Sequence, residues 1–264
     1  NMAGDLVTLG AKGPQGQAGT STGGSATQYG LANNTAYNTR VSNALQFKSD
    51  RFAGFGARAM VVAYQSNSTQ TGTGGAAAGV GGNNNVNGYG LGLDYTWNKL
   101  YVVLANNALR SNNPNPTVVS VATSAPSIWT AAGGGNNTQD NQQYAAATYD
   151  FGILKAYLQY ISRKDTSTLN TNYFAKRSAQ QIGVRSYITP TIEGWASWGN
   201  GKVTSWGAGS PNANFVAWQA GLNYYLSKRT NLYGIYGANN LSSAYPVNPA
   251  LNTNAFALGV RHTF

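Results

Sequence analysis

The stretch Gly88-Tyr89-Gly90-Leu91-Gly92-Leu93-Asp94-Tyr95-Thr96-Trp97-Asn98-Lys99-Leu100-Tyr101-Val102-Val103-Leu104 decides the fold. Tyr89, Leu91, Leu93, Tyr95 and Trp97 alternate with Gly90, Gly92, Asp94 and Thr96. Period-two alternation describes a strand with one apolar face and one small or polar face. Asn98 and Lys99 break it as a tight turn, and residues 100–109 read as a second strand. The same hairpin recurs along the chain. Residues 41–48 turn at 49–51 into 52–64, and 143–149 turn at 150–152 into 153–162. Residues 181–188 turn at 189–191 into 192–198, and 215–226 turn at 227–229 into 230–238. Residues 255–264 form a last strand and 5–10 a weaker first one.

Between these hairpins lie long segments at 65–87, 111–142, 163–177, 199–214 and 239–254, rich in Gly, Asn, Ser and Thr. Such composition breaks regular structure. Short turns alternating with long loops put all the long loops at one end, the asymmetry of bacterial outer-membrane barrels. A soluble sandwich has no reason for it. Strands near ten residues also match a tilted crossing of a bilayer. The expected fold class is therefore all-β, an antiparallel transmembrane β-barrel forming one domain over 1–264, with about 11 or 12 strands visible.

Composition agrees. The chain has 264 residues, no cysteine and only 9% charged residues, against roughly 25% in an ordinary soluble domain. Mean hydropathy is −0.31, and no run of about 18 apolar residues exists to form a membrane helix. Only a closed barrel lets non-helical backbone satisfy its hydrogen bonds in lipid. Absence of cysteine fits an oxidising compartment. The net charge of +10 comes from 17 Lys and Arg against 7 Asp and Glu. The cations are scattered rather than gathered on one helix or patch, so no nucleic-acid partner is expected.

In the last strand Phe256, Leu258, Val260, His262 and Phe264 share the face expected to meet lipid. Ala257, Gly259, Arg261 and Thr263 share the face expected to line a lumen. Tyr95, Trp97, Tyr149, Phe151, Tyr187, Tyr224 and Tyr225 cluster beside the tight turns, as an aromatic girdle does at a membrane–water boundary.

Tyr224-Tyr225-Leu226-Ser227-Lys228-Arg229-Thr230-Asn231-Leu232-Tyr233-Gly234-Ile235-Tyr236 resembles the penultimate hairpin of Gram-negative trimeric general porins. Gly259-Val260-Arg261-His262-Thr263-Phe264 resembles that family's last strand, with Phe264 in the place of its outer-membrane assembly signal. Arg40-Val41-Ser42-Asn43-Ala44-Leu45-Gln46-Phe47, with Phe52-Ala53-Gly54-Phe55, resembles a mid-barrel hairpin. The resemblance runs over roughly residues 34–264 and implies a homotrimer in the bacterial outer membrane. It implies passive diffusion of small hydrophilic solutes without a cofactor. Members have roughly sixteen strands; this chain corresponds to the later ones, so it is expected either to form a compact barrel of about twelve strands or, the favoured reading, to lack the first strands in this sequence. Residues 11–39 occupy the position of the family's constriction loop, but carry Lys12 and no carboxylate.

Alternation assigns Arg40, Arg58, Arg185 and Arg261 to the lumen, with Lys48, Lys155 and Arg163, against the carboxylates Asp94 and Asp150. Rings of Arg and Lys favour anions in a pore, so small anionic solutes are the expected partners. Catalysis is not expected: the only histidine, His262, lies on the apolar face without a nucleophile beside it. No ligand cluster suggests a metal. The alternative reading is a plugged structural or adhesive barrel whose long segments 65–87 and 111–142 bind a partner.

Overall fold

The computed structural model describes residues 41, 43–66, 84–112, 138–168, 170–206, 212–242 and 250–264. The weak strand at 5–10, the segment 11–39 and Arg40 lie outside them. Eleven strands follow one another: β1 (Ala44–Lys48), β2 (Phe55–Ser66), β3 (Asn84–Trp97), β4 (Leu100–Asn112), β5 (Thr138–Asp150), β6 (Lys155–Ser167), β7 (Phe174–Thr189), β8 (Ile192–Trp206), β9 (Ala213–Tyr225), β10 (Thr230–Leu241) and β11 (Leu251–His262). Each pairs antiparallel with its sequence neighbours in a single sheet ordered β1 to β11. Among the described residues β1 and β11 are its two edges.

The short turns all fall at one end, and each has a local cause. Asn98 takes a left-handed conformation with φ 49°, as Asn43 does elsewhere with φ 53°. Asn tolerates that region at low cost. The Asp150 carboxylate accepts the Gly152 N–H at 2.8 Å, and Gly152 has φ 91°. Thr189 Oγ1 accepts the Ile192 N–H at 3.0 Å. Ser227 Oγ accepts the N–H groups of Arg229 and Thr230, both at 3.1 Å. A register shift between Tyr187 and Thr189 bends β7 as it enters its turn.

The strands run further from the turns than the alternation indicates. Residues 163–177 were expected as a loop, yet β6 continues to Ser167 and β7 begins at Phe174. Residues 199–206 belong to β8, and 239–241 to β10. β5 begins at Thr138, inside the expected loop 111–142.

The two faces are inverted relative to a water-soluble sheet. Cross-strand register carries one face from Gly92 through Ala105, Tyr144 and Ile161 to Ala179 and Gly201. The fully buried side chains lie on this face, including Arg163, Arg177, Asp140, Asp165, Leu109 and Gln181. The opposite face carries large exposed apolar groups, among them Leu45, Leu91, Leu104, Leu158, Ile182, Leu222 and Leu258. Charge inside and hydrocarbon outside suits a sheet whose outer surface meets lipid.

Aromatics frame that outer face. On β3, Leu91 and Leu93 sit between Tyr89 and the pair Tyr95 and Trp97. Tyr95 packs on Phe55 with ring centroids 4.3 Å apart, and Tyr149 on Phe151 at 4.6 Å. Toward the other end Trp198 pairs with Trp218, whose ring meets Tyr236 at 5.5 Å. Two amphipathic belts around an aliphatic band are what two membrane–water boundaries select.

Candidate functional site

The buried, polar face is concave. Toward the turns it encloses a space of about 960 Å³, with walls running from Tyr101 on β4 to Thr263 beyond β11. Lys155, Arg185, Lys228, Arg229 and Arg261 line it, with Glu193 as the carboxylate among these lining residues. Glycines make room for inward aromatic rings: Trp195 lies across from Gly221, and Tyr233 from Gly259.

Every described cation expected on this face is there. Lys48 pairs with Arg58, Arg58 with Gly92, and Lys155 with Arg185, all facing inward; Arg261 pairs with Asn231 on the same face. Arg163 faces inward as well, but it is fully buried and its charge is answered by Asp140. Its Nε lies 3.0 and 2.9 Å from the two Asp140 oxygens, and Nη2 is 2.5 Å from Oδ2. Arg185 is answered by Glu193. Asn223 and the Tyr225 hydroxyl donate to Glu193 Oε2, each at 2.8 Å. Among the described residues, no ion pair engages Lys48, Arg58, Lys155 or Arg261.

The carboxylates are more numerous here than expected. Asp94 is on this face, as alternation indicates, and is paired with Arg51 from the β1–β2 turn, which also donates to Thr96. Asp150 lies opposite Lys155 but caps its own turn. Asp140, Asp165 and Glu193 join them. Arg51, Arg177, Lys228 and Arg229 were not picked out from the sequence. Alternation is silent about turn residues, and Arg177 stood in an expected loop. Around Arg177 both faces are polar, with Arg177 and Gln181 on one and Lys176, Ser178 and Gln180 on the other, so alternation gave no signal.

Two aromatics expected in the girdle turn inward instead. Tyr187 pairs with Glu193, and Tyr225 hydrogen-bonds it; their rings lie 6.2 Å apart. His262 faces outward, with Nδ1 2.9 Å from Thr230 Oγ1 and its ring against Phe264.

A sequence model of the Gram-negative porin family matches residues 2–244. No curated protein matches the chain in sequence. Among solved structures, an anion-selective porin from Comamonas acidovorans is similar, with a TM-score of 0.56 and 17% identity. The match covers 97% of this chain and 66% of that one. OmpT of Vibrio cholerae, expressed in the outer membrane, gives a TM-score of 0.53 at 12% identity, covering 93% of this chain and 71% of that one. Its in-vitro folded trimer form gives 0.53 at 12%, covering 83% and 64%. The chain thus spans about two-thirds of the length of the porins it resembles, and shares their fold as part of a transmembrane β-barrel. Inverted faces, shared fold and family match together locate the protein in the bacterial outer membrane, and the chain belongs to the Gram-negative porin family.

Proposed function

We propose that this chain lines a water-filled channel through which small hydrophilic solutes diffuse passively, with anions preferred over cations. The observation that carries the reading is the concave space walled by five cations and one carboxylate. Three carboxylates of the inner face, Asp94, Asp140 and Glu193, are already spent in ion pairs with Arg51, Arg163 and Arg185. Among the described residues, Lys48, Arg58, Lys155 and Arg261 stand on the inner face without an ion pair and supply it with positive charge. In a confined, partly low-dielectric channel such charge raises the local concentration of anions. The anion selectivity of the Comamonas acidovorans porin, a protein of the same fold, supports the direction.

The working unit is a homotrimer, supported by the trimer form of the Vibrio cholerae neighbour. Residues 1–264 act as one barrel unit, and Phe264, fully exposed after β11, serves as the assembly signal. A conducting wall requires that the edges β1 and β11 be paired, because lipid does not tolerate open backbone. Arg163, Asp140, Asp165 and Arg177 are fully buried on the inner face far from the turns, and this burial favours a plugged barrel as the second reading. Conductance separates the two readings. Protein extracted from outer membranes in detergent should produce stepwise conductance increments in a planar bilayer, and well-folded protein that gives none would favour the plugged barrel.

A further inference from the structure

The wall of the concave space is not evenly polar. On its β8–β11 side two aromatic side chains lean over the backbone of the next strand. Trp195 on β8 is in register with Gly221 on β9, and Tyr233 on β10 with Gly259 on β11. A methyl group on Gly221 would collide with the benzo ring of the Trp195 indole, and one on Gly259 with the Tyr233 phenol. Glycine is the residue that allows so close an approach to a neighbouring strand. Each ring therefore lies along the wall instead of projecting into the lumen, and offers its surface to the space. Ile235, in register with Gly221, faces inward between them. All three side chains line the space. From Gly221 to Gly259 this apolar floor crosses two strand spacings, about 10 Å.

The two borders of the floor differ from it and from each other. On the turn side stands Arg261, two residues beyond Gly259 on the same face. Among the described residues no ion pair engages it. Arg229 lines the space beside it, from the turn between β9 and β10. On the other border stands Ser197, two residues beyond Trp195 and more than nine-tenths buried. Among the described residues its Oγ, the Trp195 Nε1 and the Gln181 Nε2 are buried without a hydrogen-bond partner. Gln181 Oε1 already accepts from Gln159 Nε2 at 2.8 Å, so only its donor end is open. The two nitrogens can only donate. Glu193, the carboxylate of this wall, is engaged by Arg185, Asn223 and Tyr225. The floor thus combines ring surface, positive charge and unmatched donors. A sugar acid would also present hydroxyl protons that need acceptors, so a flat ring with acceptor oxygens fits better.

We propose that Trp195, Tyr233 and Arg261 form a subsite that favours aromatic carboxylates among the anions entering the channel. The inference rests on the channel reading above and narrows its solute class. The ligand ring packs on the indole and phenol in the offset or edge-to-face geometry that aromatic pairs prefer. Its carboxylate takes paired N–H donors from the Arg261 guanidinium. An aliphatic anion of equal charge gains only the second contact.

The test is interruption of chloride current through single channels in a planar bilayer. Benzoate, cyclohexanecarboxylate, benzamide and glucuronate are the probes. Benzoate should interrupt the wild-type current at roughly two- to tenfold lower concentration than cyclohexanecarboxylate, which has the charge without the flat ring. Benzamide, flat but uncharged, should interrupt it far less than benzoate. Trp195→Leu and Tyr233→Leu should each bring benzoate to the level of cyclohexanecarboxylate, and Trp195→Phe should keep part of the preference. Tyr233→Leu keeps the test open if the Trp195 variants do not fold. Benzoate that interrupts the current no better than cyclohexanecarboxylate or glucuronate, or a preference that survives both Leu variants, overturns the proposal and leaves the channel standing. Folded wild-type protein that carries no chloride current overturns the channel reading, and this inference with it.

Discussion

Arg163 and Asp140 meet diagonally across β5 and β6, three nitrogen–oxygen contacts at 3.0, 2.9 and 2.5 Å joining two fully buried side chains. Their partners in direct register are Gln142 and Asp165 respectively. Removing the guanidinium would leave Asp140 facing another buried carboxylate. Arg163→Gln should therefore destabilise the folded protein by about 3–5 kcal/mol. Denaturant unfolding in detergent checks this, and Arg163→Gln combined with Asp140→Asn should recover part of the loss.

Glu193 holds Arg185 and receives hydrogen bonds from Asn223 and Tyr225. Glu193→Gln releases the arginine charge into the concave space. The anion-to-cation permeability ratio should rise roughly twofold. Stability should fall by about 1–3 kcal/mol, because two charge-assisted bonds weaken and one donor set is left imperfectly matched. Salt-gradient reversal potentials and unfolding curves read the two effects separately.

The inverted faces make opposite demands on substitutions. Leu91 is 55% exposed in the aliphatic band between Tyr89 and Tyr95. Leu91→Arg should cost about 2–4 kcal/mol in a bilayer. Thr263→Arg, on the exposed inner rim, should change stability by no more than about 0.5 kcal/mol. Parallel unfolding titrations in lipid vesicles provide the comparison, and a water-facing outer surface would show no penalty at Leu91.

The hairpins were legible because each strand, within the bilayer, must be apolar on one side. Where that demand ends, so does the signal. At Arg163, Lys164, Asp165 and Thr166, and again at Lys176, Arg177 and Ser178, both faces are polar and the alternation disappears, although the hydrogen-bonded ladder continues. The same stretches hold Arg163 of the buried Arg163–Asp140 pair and the outward Lys164 and Lys176, so the least readable segments carry much of the charge chemistry. Inward placement of Arg58, Lys155, Arg185 and Arg261 followed from counting by twos. The neutralisation of Arg185 did not, since its pair with Glu193 depends on the register of a hairpin that shifts between Tyr187 and Thr189. That shift sits beside Tyr187, whose inward ring had read as part of the outer belt.

If the inward cations without ion-pair partners set selectivity, the reversal potential across a planar bilayer under a salt gradient reads their charge. The wild-type channel should reverse on the anion side, and the Lys155→Glu, Arg261→Glu double variant should move toward cation selectivity at similar conductance. A cation-selective wild type, or a double variant whose reversal potential does not move, would contradict the account.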